Sequence, residues 1–225
     1  MGQWIELTAS DGFRLAAYRA DPAGPDKPRG GLVVVQEIFG VNSHIRAVCD
    51  GFAADGYVTV APALFDRYER NFDIGYTPDD IARGRELKAR AGTDAALHDV
   101  AAARDAAASA AGRVGIVGYC WGGFIVWMSA ARLPGFGCAI AYYGGGILDH
   151  GDEQPKCPLM AHFGDRDTVI PVAGVEKLAA AHPEAQVFVY AADHGFNCDQ
   201  RKSYDAAAAT LARERTLEFL RQNVG

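Results

Sequence analysis

Apolar residues along this chain fall into short runs separated by longer stretches of helical length. Residues 31–35, 58–61, 113–117, 138–142, 159–163 and 187–190 are mostly apolar runs of strand size. Runs without polar alternation suit strands that are covered on both faces of a parallel sheet. The intervening stretches 45–54, 78–91, 94–110, 122–132, 172–181 and 204–221 are long enough for helices, and Asp55-Gly56 and Ala111-Gly112 supply stops. The N-terminal segment is different. Residues 4–8 and 13–18 flank Ser10-Asp11-Gly12, and Asp-Gly favours the turn of a β-hairpin. A hairpin followed by alternating strands and helices predicts an α/β fold: a mostly parallel sheet with an N-terminal antiparallel hairpin and helices on both faces. The three prolines within 22–28 mark a loop, no repeat or linker divides the chain, and residues 1–225 are expected to form one domain.

Composition narrows the uses of such a fold. With 225 residues, 49% hydrophobic and 22% charged, the chain is globular rather than disordered or fibrous. A formal charge of −6 without a basic run points away from nucleic acid and from anionic membrane surfaces as partners. The first ten residues carry Glu6 and no apolar stretch of signal-peptide length, and no run reaches membrane-spanning length. A cytoplasmic monomer acting on a small molecule is the expectation. The five cysteines, Cys49, Cys120, Cys138, Cys157 and Cys198, are odd in number, widely spread and without paired metal-ligand spacing. Neither a disulfide framework, a metal site nor a cofactor is expected.

In a sheet of this kind ligands bind beyond the carboxyl ends of the strands, so chemistry is sought where apolar runs end. Gly118-Tyr119-Cys120-Trp121-Gly122-Gly123 follows one such run and opens a helix. It is a cysteine version of the nucleophile elbow, in which glycines permit a sharp strand-to-helix turn and the helix N-terminus stabilises a thiolate. No serine stands in a competing Gly-x-Ser-x-Gly setting. Gly164-Asp165-Arg166-Asp167 follows another run and Asp193-His194-Gly195-Phe196 a third. The order nucleophile, acid, histidine is that of α/β-hydrolases. Asp167 is taken as the orienting carboxylate, Asp165 as a turn residue and Asp193 as pointing away from the site. Of the six histidines only His194 has a strand-end position after the final run; His44, His98, His150, His162 and His182 are read as surface or packing residues. His162 with Asp165 and Asp167 has the residue types of a metal site but no compact ligand motif.

Four segments together carry a family resemblance: Gln36-Glu37-Ile38-Phe39-Gly40-Val41-Asn42, the Cys120 elbow, the Gly164-x-x-Asp167 turn and His194-Gly195-Phe196. They resemble the dienelactone hydrolase (carboxymethylenebutenolidase) family, and the likeness runs from the hairpin to the last helix. The resemblance implies an α/β-hydrolase fold, a Cys120-His194-Asp167 triad and hydrolysis of lactones or esters through a thioester on Cys120. It also implies that Glu37 lies beside the resting thiol and moves when substrate binds, so that thiolate forms. Backbone N–H groups of Ile38 and Trp121 would form the oxyanion hole. Trp121 either lines the pocket or packs beneath it. The family's arginines hold a substrate carboxylate. One falls in the stretch 79–87, where Arg83 and Arg85 are both candidates; the other lies four residues beyond the histidine, where this chain has Cys198. Loss of that arginine implies poor handling of dienelactone, unless Arg201 reaches the same place. The competing functions are a catalytically silent small-molecule-binding protein on the same fold and a redox-sensing thiol pair of Cys120 and Cys198.

Overall fold

The computed structural model describes residues 2–24 and 26–225; Met1 and Pro25, which fall within the expected domain and the 22–28 loop, lie outside the described residues. Eight strands form one sheet: β1 (Gln3–Thr8), β2 (Arg14–Ala20), β3 (Gly30–Val35), β4 (Tyr57–Pro62), β5 (Val114–Tyr119), β6 (Phe136–Tyr142), β7 (Leu159–Gly164) and β8 (Gln186–Tyr190). Their spatial order is β1-β2-β4-β3-β5-β6-β7-β8. β1 pairs antiparallel with β2, and β2 antiparallel with β4. Every later pairing is parallel, from β4-β3 through β7-β8. The hairpin turn closes where Asp11 accepts the Phe13 N–H and Gly12 takes a left-handed φ of 83°.

Six helices cover the sheet: α1 (Ser43–Ala54), α2 (Pro78–Arg90), α3 (Thr93–Ala111), α4 (Trp121–Arg132), α5 (Val172–Ala181) and α6 (Ala206–Asn223). Three begin on side-chain caps. Asn42 accepts from the Ile45 N–H, Thr77 and Asp80 form a reciprocal capping box, and Asp205 accepts from Ala208. α1 and α6 share one face, tied by Arg213–Asp55 at 2.6 Å, while α3 and α4 pack on the other. β3, β4, β5 and β7 are buried throughout, the burial expected of central strands between two helical layers.

Differences from the sequence expectation are local. α6 begins at Ala206 rather than at Tyr204 because Asp205 is the cap. Two 3-10 turns, Leu64–Arg67 and Ile147–His150, occupy stretches to which the sequence reading gave no element. Both are too short to leave a periodic signature. No helix among the described residues is long and apolar enough to cross a membrane.

Candidate active site

β5 runs into α4 through Cys120, which takes φ 55° and ψ −117°, a left-handed conformation for a residue with a side chain. Its N–H is held by the Tyr142 carbonyl at 3.0 Å, and its carbonyl accepts from Gly123 and Phe124. The turn works only with a bare backbone after it. A Cβ on Gly122 would lie 2.4 Å from the Val35 carbonyl oxygen. Helix and strand therefore meet at backbone contact, and the thiol stands at the C-terminal edge of the sheet.

Asp167 follows β7 and His194 follows β8, so parallel pairing delivers both to the same edge. Asp167 Oδ2 lies 2.7 Å from His194 Nδ1, and Asp167 Oδ1 accepts from the Val169 and Ile170 N–H groups at 2.8 and 3.1 Å. The carboxylate is buried and fully satisfied. Burial by itself would hold the imidazole below its usual range. The hydrogen bonds that it donates to Asp167 and to the Cys120 sulfur outweigh it and raise His194 to about 10. The ring is thus placed to exist as imidazolium between sulfur and carboxylate. Asp165 is half exposed and, among the described residues, pairs with Arg166 and forms no ion pair with the histidine. Asp193 does not turn away as the sequence suggested: it accepts from the His194 N–H at 2.6 Å and stands at the mouth of the cleft.

That cleft has a volume of about 310 Å³ and contains Cys120, His194, Ile38, Phe39 and Trp121. Among the described residues, neither the Ile38 nor the Trp121 N–H donates to a backbone acceptor. Both alternatives for Trp121 hold: it edges the cleft while its ring stacks on Phe65 at 5.0 Å. α2 supplies the opposite wall through Ile81, Arg85 and Lys88. These sit at i, i+4 and i+7, a single helical face. Arg83 falls on another face and pairs with Glu69 and Glu86, so it is corrected out of the site.

Cys198 is the second correction. It is fully buried and does not line the cleft; a turn over 195–204 instead carries Arg201 into it. Arg201 Nη1 is 3.4 Å from Glu37 Oε1. Burial disfavours this guanidinium charge, but Glu37 and Cys120 overcome the penalty and its pKa is raised. Glu37 is itself 1% exposed. It turns to Arg201 and makes no hydrogen bond with Cys120 among the described residues, and its Oε2 has no partner. Behind it lie His44 and Cys198, whose donor atoms are within 4.8 Å of each other and of the carboxylate. Burial, then Glu37, pushes the Cys198 thiol up to about 11. Among the described residues His162, Asp165 and Asp167 do not gather as metal ligands would: His162 is buried against Tyr190 and Thr216.

Two contributors escaped the sequence reading. Lys88 is signalled only by its three-residue offset from Arg85. Tyr143, with φ 36°, is buried with its ring 5.2 Å from His194. Its position at the end of β6, before three glycines, is the strand-end signal that selected the other residues.

Comparison with known proteins gives the family and the fold. The family model described as "Dienelactone hydrolase family" matches residues 15–224. A provisionally named carboxymethylenebutenolidase of Synechocystis is 38% identical over 92% of this chain and 91% of its own length. One from Escherichia coli K12 is 37% identical over 96% and 85%. The crystal structure of a provisionally named dienelactone hydrolase from Klebsiella pneumoniae aligns with a TM-score of 0.85 at 32% identity, covering 98% of this chain and 99% of that one. A dienelactone hydrolase-like promiscuous phosphotriesterase from metagenomic libraries shares the fold, with a TM-score of 0.79 at 19% identity over 100% and 99%.

Proposed function

Since the chain belongs to the dienelactone hydrolase family of α/β-hydrolases, we propose that it hydrolyses carboxylate-bearing lactones or esters through a thioester on Cys120. One observation carries the mechanism: the 2.7 Å Asp167–His194 contact beside a thiol held in a left-handed elbow.

In this mechanism Cys120 attacks as thiolate while His194 is imidazolium. The tetrahedral oxyanion is received by the N–H groups of Ile38 and Trp121. His194 then gives its Nε2 proton to the departing alkoxide, leaving the acyl-enzyme. A water, deprotonated by the now neutral imidazole, attacks the thioester, and collapse of the second tetrahedral intermediate releases the acid and restores the thiol. Asp167 holds the imidazole tautomer throughout. Glu37 in its resting place pairs with Arg201; a substrate carboxylate competing for that guanidinium frees Glu37 to move and promotes thiolate formation. Arg85 and Lys88 add positive charge at the cleft wall. Arg201 takes the part that Cys198 was expected to leave vacant, so dienelactone-like anions are substrates in this proposal rather than poor ones. No location in the cell is needed for the chemistry; a cytoplasmic monomer remains the reading from composition.

Intact-mass spectrometry during turnover of a carboxylate-bearing lactone tests it. The protein should gain the substrate's mass, and Cys120→Ala should show neither adduct nor turnover above background. Retained hydrolysis by Cys120→Ala would overturn the mechanism, and an inert native protein across lactones and aryl esters would favour a binding role.

A further inference from the structure

Behind the proposed catalytic cleft lies a second group of chemically active side chains that the triad does not use. Glu37, His44 and Cys198 come from the β3–α1 loop, the first turn of α1 and the turn after β8. All three are buried, at 1%, 4% and 0% exposure. Their donor atoms lie within 4.8 Å of one another. Two polar atoms here are orphans: Glu37 Oε2 and His44 Nε2 have no hydrogen-bond partner among the described residues. Buried polar atoms are nearly always paired, so two in one cluster require an explanation.

The other side of His44 supplies a direction. Its Nδ1 faces the Asp199 carboxylate at 3.5 Å. A carboxylate near Nδ1 favours the proton there and leaves the Nε2 lone pair free, the arrangement that supports histidine as a metal ligand. We propose that Glu37, His44 and Cys198 form a buried three-ligand site for a divalent ion of the Zn²⁺ class, with Asp199 orienting His44.

Charge and donor type agree. Glu37 and Asp199 are negative and Arg201 positive, so with a neutral Cys198 thiol the group carries one net negative charge. Binding breaks the Cys198 S–H bond, releases that proton to solvent and forms a metal–sulfur bond. Two positive charges arrive and one proton leaves, which brings the group to neutrality. A sulfur, an imidazole nitrogen and one carboxylate oxygen suit Zn²⁺ or Co²⁺ and not Mg²⁺ or Ca²⁺. Donors around a tetrahedral ion with such bonds stand roughly 3.5 Å apart, a rotamer-scale adjustment from the present spacing. Access is available on the side away from the catalytic cleft: His44 and Asp199 line a cleft of about 250 Å³ between α1 and α6. Water from that cleft would complete the coordination.

An ion at this place holds Glu37 in its resting position, so it inhibits; this consequence rests on the movement given to Glu37 above. The site itself does not. Binding is therefore read in the Cys120→Ala protein, treated with chelator, where the nucleophile cannot supply the sulfur. Co²⁺ should bind at one equivalent with a thiolate-to-cobalt band and the intense visible bands of a four-coordinate ion, while Mg²⁺ does nothing. Cys198→Ser in the same background should abolish the thiolate band, and Asp199→Asn should weaken binding by roughly 10–100-fold. If Cys198→Ser fails to fold, X-ray absorption on the Zn²⁺-loaded Cys120→Ala protein decides: one sulfur neighbour supports the site, and a shell of nitrogen and oxygen alone overturns it. Absence of saturable Co²⁺ binding, or a thiolate band that survives Cys198→Ser, also overturns it. Zn²⁺ inhibition of the native protein, relieved by Cys198→Ser relative to that variant's own metal-free rate, supports the link to Glu37. Binding without inhibition supports the site and overturns the Glu37 movement instead.

Discussion

His194 is a basic imidazole because, against the penalty of burial, two partners prefer its charged form: a buried carboxylate on one nitrogen and the Cys120 sulfur accepting from the other. Its folded value, about 10, lies above the ordinary value near 6.5. The stabilisation from protonating it is therefore complete below about pH 6.5 and is lost as pH rises toward 10. The melting temperature of the native protein should fall across that window, and the fall should flatten in His194→Gln; parallel curves would place the charge elsewhere. The acylation rate should decline over the upper part of the same range, as the acid that protonates the leaving group disappears. Asp167→Asn should lower kcat by about 10⁴ through the wrong tautomer, whereas half-exposed Asp165→Asn should stay within about twofold. Equal losses would mean that the orienting carboxylate is misassigned. That Cys120, Asp167 and His194 share one edge was readable from chain order, because each lies within a few residues of a strand's C-terminal end and parallel strands end at one edge. Arg201 was harder to see. It lies seven residues past His194, beyond consecutive turns, and the direction of a side chain leaving irregular backbone has no period to reveal it.

At the level of elements, six apolar runs, the two hairpin segments and the stretches between the runs match the eight strands and six helices of the described residues, with ends displaced by a residue or two. The displacements have causes: Asp205 caps α6 after Tyr204, and β5 continues to Tyr119 because Gly118 and Tyr119 still pair with Ala141 and Tyr142 of β6. Periodicity also explains α2. Reading its arginines on a helical wheel from Ile81 separates Arg85, which faces the cleft, from Arg83, which does not, a distinction invisible without knowing which face is covered. The elbow shows how tightly two elements can be joined. Gly122→Ala sets a methyl against the Val35 carbonyl, a backbone atom that cannot turn aside. It should cost about 3 kcal/mol in urea unfolding, with activity lost in the fraction that still folds. α2 makes a similar approach at Gly84, where a Cβ would lie 2.3 Å from the Ile38 carbonyl oxygen. Gly84→Ala should tilt that peptide and with it the neighbouring Ile38 N–H, lowering kcat more than it raises KM.

For the molecule as a whole, net charge is a poor guide to what enters the cleft. The chain is negative overall, yet Arg85, Lys88 and Arg201 stand in the cleft against Asp193 at its mouth. Arg85→Ala with Lys88→Ala should raise KM for a carboxylate-bearing lactone about tenfold, a loss of ~1.4 kcal/mol, and leave a neutral aryl ester almost unchanged. Added salt should imitate the double variant for the anion alone. Equal effects on both substrates would show that the cations shape the cleft without selecting charge. Arg201→Ala should behave differently, since it strands the buried Glu37 carboxylate and should destabilise the fold by about 3–5 kcal/mol. The cations of the cleft are thus unequal in kind, and α2 is the reason. That helix touches the rest of the protein chiefly through buried Gly84 and Leu87 and presents Arg85 and Lys88 from its exposed side. Residues at those two positions can change with little structural penalty, while the elbow and the triad stay as they are. New substrate preferences are therefore open to descendants of this sequence through single surface replacements on one helix, which leave the proposed acyl chemistry untouched.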